Sequence, residues 1–282
     1  MNSYIGFYIN DQYLFEQKKE GINIIKDDDI IGVFASRKIN MLIHGNFMPV
    51  HYVDYLCISN QHRKKQIVPQ LVETCYRYLR MDNKHIAVCL FKRENKLMNW
   101  VVPLTQYNAY GYNLDLFKLQ VSLPSNITLI SIGKNNYNII YEHMSFVRKQ
   151  YDCFIQSDMG VIMELLKKSQ MYIYILIQNH NPLTVYIFKD GNTLYNNKKT
   201  IECISSHNTS NSSSLFINGF YHAIEKFKKE YGYLIMENVS HNDKIINNIH
   251  LRIFPNMNTK MAYYFYNFAL ASIKPDKLFA MF

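Results

Sequence analysis

Glycine and proline are scarce, 10 and 7 of 282 residues, which excludes collagen-like and proline-rich chains. Cysteine is scarcer and odd in number: Cys57, Cys75, Cys89, Cys153 and Cys203. No CxxC spacing occurs, so neither a zinc knuckle nor a disulfide framework is expected. The thiols read as reduced, in a cytosol-like compartment. No apolar run approaches the ~20 residues that span a bilayer. Residues 1–11 lack the basic and apolar regions of a signal peptide. The Asn-x-Ser/Thr matches at Asn126, Asn208, Asn211 and Asn238 therefore read as chance in an Asn-rich chain. HExxH, GxSxG, Walker and dinucleotide fingerprints are all missing.

Aromatic and apolar material is abundant, at 15% and 48%, which excludes a disordered chain. At ~150 residues per domain the length fits two domains or one double-sized unit. The excess of Lys, Asn, Ile and Tyr points to an AT-rich genome. Lys and Arg exceed Asp and Glu by 31 to 22, a net charge of +9. One dense cluster stands out, His62-Arg63-Lys64-Lys65. The other cations read as a solvated surface. Without an RRM, KH or zinc-finger signature, no nucleic-acid partner is expected.

Strand and helix patterns alternate. Ile30–Ser36 and His51–Ser59 read as strands. Residues 63–80 read as a helix with Ile67, Leu71, Val72, Cys75 and Tyr78 on one face. Pro69 is tolerated in its first turns. His85–Phe91 reads as a strand, followed by a less regular stretch over 100–112. Residues 126–132 read as a strand, and 137–150 and 159–168 as helices. Met171–Ile177 and Thr184–Phe188 read as paired strands around a polar turn. Ser205–Ser214 reads as an exposed Ser/Asn/Thr loop. Residues 215–229 form an amphipathic helix carrying Phe216, Phe220, Ile224 and Phe227. Tyr231–Met236 and Met261–Ala269 read as strands. The pattern predicts an α/β fold of two related halves, 1–125 and 126–282, around a shared central mixed sheet.

The stretch from Tyr52 to Leu71 carries the chemistry. A strand ends in a polar turn, three cations follow, and a helix begins. A helix N-terminus offers free N–H groups and a positive dipole end, so added cations there form a phosphate cradle. A charged first turn on a solvated helix is the alternative, although cations there oppose the dipole.

This order resembles the coenzyme A-binding motif of the Gcn5-related acyltransferases. More narrowly, Tyr55-Leu56-Cys57-Ile58 followed by Arg63-Lys64-Lys65-Gln66-Ile67-Val68-Pro69 resembles the eukaryotic-type glycylpeptide N-myristoyltransferases, whose signature runs Asn-Phe-Leu-Cys-Val and then Arg-x-Lys-Arg-x-Ala-Pro-x-Leu. Ile31-Gly32-Val33-Phe34, Ile235-Met236-Glu237-Asn238 and Tyr263-Tyr264-Phe265-Tyr266-Asn267-Phe268 resemble further segments of that family, in the same order. The resemblance covers about residues 20–282. It is that of a divergent, N-terminally short member, such as a large DNA virus would encode. It implies a tandem pair of Gcn5-related acyltransferase-like halves. The first half would hold acyl-coenzyme A and the oxyanion hole, the second the peptide groove. The reaction implied is acyl transfer from coenzyme A to the α-amine of an N-terminal glycine.

The resemblance also assigns roles. The N–H groups of Tyr55 and Leu56 would form the oxyanion hole, which needs a strand distortion such as a bulge. The α-carboxylate of Phe282, at the apolar end of the chain, would be the base. Leu56, Cys57, Ile58, Arg63, Lys64, Lys65, Gln66, Ile67, Val68 and Pro69 would hold acyl-coenzyme A. Asp54, Leu90, Trp100, Ser205, His207, Asn208 and Tyr264 would line the acceptor site. For Asp54 the alternative is a strand residue facing solvent; for Trp100 it is a core position. Acyl-coenzyme A, myristoyl-coenzyme A first, would be a co-substrate, with no permanent cofactor and no metal. A cytoplasmic monomer with at most peripheral membrane contact is expected, in the host cytoplasm if the gene is viral. Departures lie at Val88-Cys89-Leu90 and Phe254–Asn258, where the family has Tyr-Thr-Ala-Gly and a glycine-rich loop. Two other readings stay open: a shorter acyl donor or a lysine acceptor on this scaffold, and an inactive acyl-coenzyme A- or peptide-binding protein.

Overall fold

The structure, a computed structural model, describes residues 3–9, 30–82, 84, 88–118 and 122–282. The fold is mixed α/β. It divides into two compact units: Met1–Ile39 with Pro49–Lys92 and Tyr264–Ala269, and Asn40–Met48 with Arg93–Tyr263 and Leu270–Phe282. Residues 93–125 thus group with the second unit, whereas the halves read from sequence divide at 126.

In the first unit, β1 (Ser3–Ile9) runs antiparallel to the early part of β2 (Ile30–Ile43). β3 (Asn46–Ile58) pairs in parallel with β4 (Cys89–Glu94) over His51–Val53 and Cys89–Phe91. Helix α1 (Ile67–Asp82) covers one face, burying Leu71, Cys75 and Leu79 against Phe34 and Cys89. Gly6 lets the helix approach, because a Cβ there would stand 2.6 Å from the Cys75 sulfur. The inward row is 67, 71, 75 and 79; Tyr78 is exposed and Leu79 takes the place expected for it. The expected strand at His85–Phe91 begins at Cys89, and His85 to Ala87 lie outside the described residues.

In the second unit, β12 (Met257–Tyr266) is antiparallel to β5 (Thr105–Asn113), and β5 to β11 (Tyr233–Glu237). β11 is parallel to β10 (Lys198–Asn208). Antiparallel pairs then join β10, β9 (Asn181–Tyr195), β8 (Met171–Gln178) and β6 (Ile127–Ser131). β7 (Cys153–Gln156) lies parallel to β13 (Leu278–Met281) and antiparallel to Asn40–Ile43. β8 reads MYIYILIQ, apolar at nearly every position, because both faces are covered. Tyr174 and Leu176 join α4 (Ser213–Glu225) and α5 (Asn242–His250) in one core. Ile173 and Ile175 join α2 (Tyr137–Val147) and α3 (Met159–Lys167) in the other. The β8–β9 turn puts Asn179 and His180 at positive φ, 49° and 65°, the backbone of a tight two-residue hairpin.

Three readings are corrected here. Residues 105–113 form a strand, not an irregular stretch, with Thr105, Tyr107, Ala109 and Gly111 on its buried side. Ser205–Asn208 ends strand β10, with Ser205, Ser206 and His207 buried, so the exposed loop shrinks to Thr209–Ser212. β7, β13 and α5 are elements that periodicity did not mark.

Candidate active site

Strand β3 carries a local fault. Val53 and Ile58 both pack into the core beneath α1, although an odd number of positions separates them. A regular strand would send them to opposite faces, so side-chain alternation slips by one residue within Asp54–Cys57. Gly32 confirms the side: a Cβ there would stand 2.5 Å from the Ile58 Cδ1 and 3.4 Å from Leu71. The pairing with β4 also ends at Val53 and Phe91, just before the slip. Tyr55 and Leu56 lie in the faulted segment, 59% and 40% exposed, and Cys57 is exposed with them.

Asp54 is not a free solvent-facing carboxylate. Its carboxylate accepts a 2.7 Å hydrogen bond from Arg37 Nε, and the pair is largely shielded. The Arg37 guanidinium also stands 5.7 Å from the Tyr52 ring centroid. Asp54 thus anchors a β2–β3 ion pair, which departs from the solvent-facing alternative.

Downstream, Asn60–His62 make one 3₁₀ turn, and Arg63 Nε donates back to the Ile58 carbonyl at 3.4 Å. Helix α1 starts at Ile67 rather than Arg63, so Arg63, Lys64 and Lys65 form the loop before it. Lys64 and Gln66 take left-handed backbone, φ 65° and 60°. All three cations and Gln66 are exposed, as are Val68 and Pro69, while Ile67 is buried. α1 has no acidic residue in its first turn, so its positive end is uncompensated by its own residues. A hollow of about 380 Å³ opens beside this loop, lined by Ile30, Gly32, Cys57, Ile58, Ser59 and Asn60. Its lining is mostly apolar, and Arg63, Lys64 and Lys65 are not part of it.

Leu90 is fully buried, and Tyr264 is nearly so, stacked on Phe91 at 5.6 Å. Trp100 is 77% exposed, which overturns the core alternative.

In the second unit the chain end is part of the structure. Leu278–Met281 are buried in β13, and Phe282 is 5% exposed with its ring 6.4 Å from that of Tyr263. Ser205 is fully buried; its hydroxyl accepts from the Ala280 N–H at 2.9 Å and so ties β10 to β13. His207 and Asn208 line a cavity of about 400 Å³ with Tyr151, His241, Asp276 and Lys277. Burial lowers the His207 pKa to about 3 and that of His241 to about 4. Arg37, Tyr151 and His241 were missed from sequence. No motif marks them; only pairing across strands brings them to these positions. Among the described residues no group of three His, Cys, Asp or Glu could hold a metal, and no helix is long and apolar enough to cross a membrane.

No family model and no curated protein matches the chain. The architecture is nevertheless that of the Gcn5-related acyltransferases. The chain is similar to a GCN5-related N-acetyltransferase from Kribbella flavida (TM-score 0.53, 6% identity, 94% of this chain and 70% of that one). A second, from Anabaena variabilis, gives a TM-score of 0.52 at 9% identity over 93% and 72% of the two chains. Saccharomyces cerevisiae N-myristoyltransferase with bound myristoyl-coenzyme A superposes better, with a TM-score of 0.66 at 13% identity over 88% of this chain and 69% of that one. At such identities the likeness is one of fold: an N-myristoyltransferase-like form of the Gcn5-related architecture.

Proposed function

We propose that the protein transfers a fatty acyl group, myristoyl first among candidates, from its coenzyme A thioester to the α-amine of a protein N-terminal glycine. The observation that carries this reading is the slip in β3. An oxyanion hole needs a distortion of this kind, and Tyr55 and Leu56 lie in the slipped segment, which supports the reading. The glycine ammonium first loses a proton; its ordinary pKa of about 8 makes a carboxylate base sufficient. We assign that base to the Phe282 α-carboxylate. The free amine attacks the thioester carbonyl carbon, and the Tyr55 and Leu56 N–H groups hold the oxyanion that forms. Collapse breaks the C–S bond, leaves the amide and releases coenzyme A thiol once the sulfur takes a proton. A preorganised hole of this kind lowers the barrier by about 3 kcal/mol per donor. Arg63, Lys64 and Lys65 hold the coenzyme phosphates as charge-assisted donors.

The test is a panel of acyl-coenzyme A donors of graded chain length, each offered to a Gly-initiated peptide and to one with a blocked N-terminus and a free lysine. Acylation of the glycine amine, strongest with the myristoyl donor, is the expected result. Transfer only to lysine, or only from short donors, replaces this reading with another acyltransferase. Absence of both thioester consumption and acyl-peptide with every donor overturns the enzyme reading.

A further inference from the structure

Strands β12, β5, β11, β10 and β9 are neighbours in the second unit, and their pairing brings one end of each together. There β12 begins at Met257, β5 ends at Asn113, β11 begins at Tyr233, and β9 turns into β10 through Asn196 and Asn197, both left-handed. Ser205, His207 and Asn208 lie toward the other end of β10, roughly 20 Å from Lys198 at ~3.3 Å per residue, so this end is not the acceptor site. Its connecting segments carry exposed apolar tips. Phe254 and Leu251, between α5 and β12, are 85% and 78% exposed, more than any other large apolar side chain among the described residues. The Asn256 N–H donates to the Gly111 carbonyl at 2.8 Å and holds this segment against β5. Leu116, in the 3₁₀ turn Leu114–Leu116 after β5, and Leu194, beside the β9–β10 turn, are exposed as well. Ile253, Leu114 and Phe117 are buried in the core beneath, so a fixed backbone holds Leu116, Leu251 and Phe254 outward.

Cations stand among these tips. Lys118, Lys198, Lys199, Lys226, Lys229 and Arg252 are exposed, and Lys228 is half-buried. Backbone bonds join the segments that carry them: the Gly232 N–H donates to the Lys199 carbonyl at 3.1 Å, and the Leu114 N–H to the Gly232 carbonyl at 3.0 Å. Lys198 Nζ reaches Asp115 at 2.6 Å, Lys199 Nζ reaches Glu230 at 3.0 Å, and Lys228 bonds Glu225 and the Phe117 carbonyl. A fourth acid, Asp190, accepts from Tyr231 OH at 3.0 Å. Arg252 acts on Tyr221, whose ring centroid is 6.1 Å from that of Phe117, and so belongs to the same end. Seven cations thus stand with four carboxylates, and Lys118, Lys226, Lys229 and Arg252 form no salt bridge among the described residues. A nucleic acid would pair the cations and leave the leucines in water. The core of a protein–protein interface is depleted of charge, whereas here cations separate the apolar tips. An anionic bilayer surface accepts both, the cations at its headgroups and the tips at the acyl boundary.

We propose that this end of the second unit docks on an anionic lipid bilayer, with Leu116, Leu194, Leu251 and Phe254 entering the headgroup region and the unpaired lysines and Arg252 lying against anionic headgroups. The docking stands independently of acyl transfer. Its test is sedimentation of the full-length protein with vesicles of phosphatidylcholine alone and of phosphatidylcholine with phosphatidylserine in a three-to-one mixture, each at low and at physiological salt. The expected result is sedimentation with the anionic vesicles only, weakened by salt. Changing Lys118, Lys226 and Lys229 to Ala should weaken that partition about fivefold for each lysine removed. Changing Leu251→Ser together with Phe254→Ser should weaken it about tenfold and leave its salt dependence in place, because the charge is untouched. All five positions are exposed, so both variants keep the fold. Retention on immobilised polyuridylate is the competing arm. No sedimentation with anionic vesicles, equal sedimentation with neutral ones, indifference to both sets of substitutions, or retention by polyuridylate in place of vesicles overturns the proposal.

Discussion

At the scale of single residues, the second unit holds histidines in a neutral state that burial enforces. His143 on α2 is buried, its Nε2 has no partner among the described residues, and desolvation lowers its pKa to about 4. In the unfolded chain the same ring titrates near 6.5. The folded value lies below the unfolded one, so the unfolded state binds more protons as pH falls through that window. Stability is therefore complete above about pH 6.5 and declines toward pH 4. Replacing His143→Leu removes an unpaired polar atom at similar volume. The expected outcome is a urea midpoint at pH 7 unchanged or raised, with a shallower loss between pH 6.5 and 4 than in the parent. An equally steep acid loss would assign the effect elsewhere, with His207 and His241 the next candidates. Asp54 is read at the same scale. With Arg37 as its partner it holds strand geometry, so Asp54→Ala should cost about 1–3 kcal/mol in denaturant unfolding by removing a shielded charge-assisted hydrogen bond.

At the scale of elements, the β3 slip and the loop after it decide what the first unit can bind. Ile58 reaches the α1 core only because Gly32 leaves room. Gly32→Val should push Ile58 back toward regular alternation and destabilise by about 1–3 kcal/mol, as overpacking does. Adding Ile58→Ala should recover part of that loss while leaving acyl transfer impaired, since the anchor of the slip is gone. Coupling between the two sites in a double-mutant cycle is the measurement. Elements also show what the sequence could disclose. α4 was legible because Phe216, Phe220 and Ile224 repeat at helical spacing against one core, although the helix ends at Glu225 and Phe227 reaches that core from the turn after it. β5 was hidden because tyrosines occupy both of its faces and blur the alternation. The end of β10 was hidden because Ser205, Ser206 and His207 are polar by type yet buried by tertiary pairing, through bonds to Ala280, Ser240 and Tyr151. The basic loop was legible as a motif, but its conformation was not. The left-handed backbone at Lys64 and Gln66 postpones the helix to Ile67, where neither residue type announces it. Changing Arg63, Lys64 and Lys65 together to Ala should weaken acyl-coenzyme A binding more at low salt than at high salt, with the fold intact because all three are exposed. Calorimetry at two ionic strengths reads the difference.

At the scale of the whole molecule, the second unit is completed by the last residues of the chain. β13 pairs with β7, Leu278 opposite Cys153 and Met281 opposite Gln156, and places Phe279 and Met281 in the core beneath α2 and α3. These contacts join segments far apart in sequence. The topology separates two roles that Phe282 combines. Its ring is packing material, buried near Tyr263; its carboxylate is the proposed base. Phe282→Ala keeps a carboxylate at the same backbone position and should cost about 3–4 kcal/mol of stability, the usual penalty for emptying a buried aromatic site. Turnover per folded molecule should fall little. Adding two glycines after Phe282 keeps the ring and displaces the charge, so stability should hold while turnover drops by orders of magnitude and acyl-coenzyme A affinity stays the same. Equal turnover in the extended chain removes the α-carboxylate from the mechanism, and a collapse of stability without loss of rate per folded molecule leaves β13 with a purely structural role.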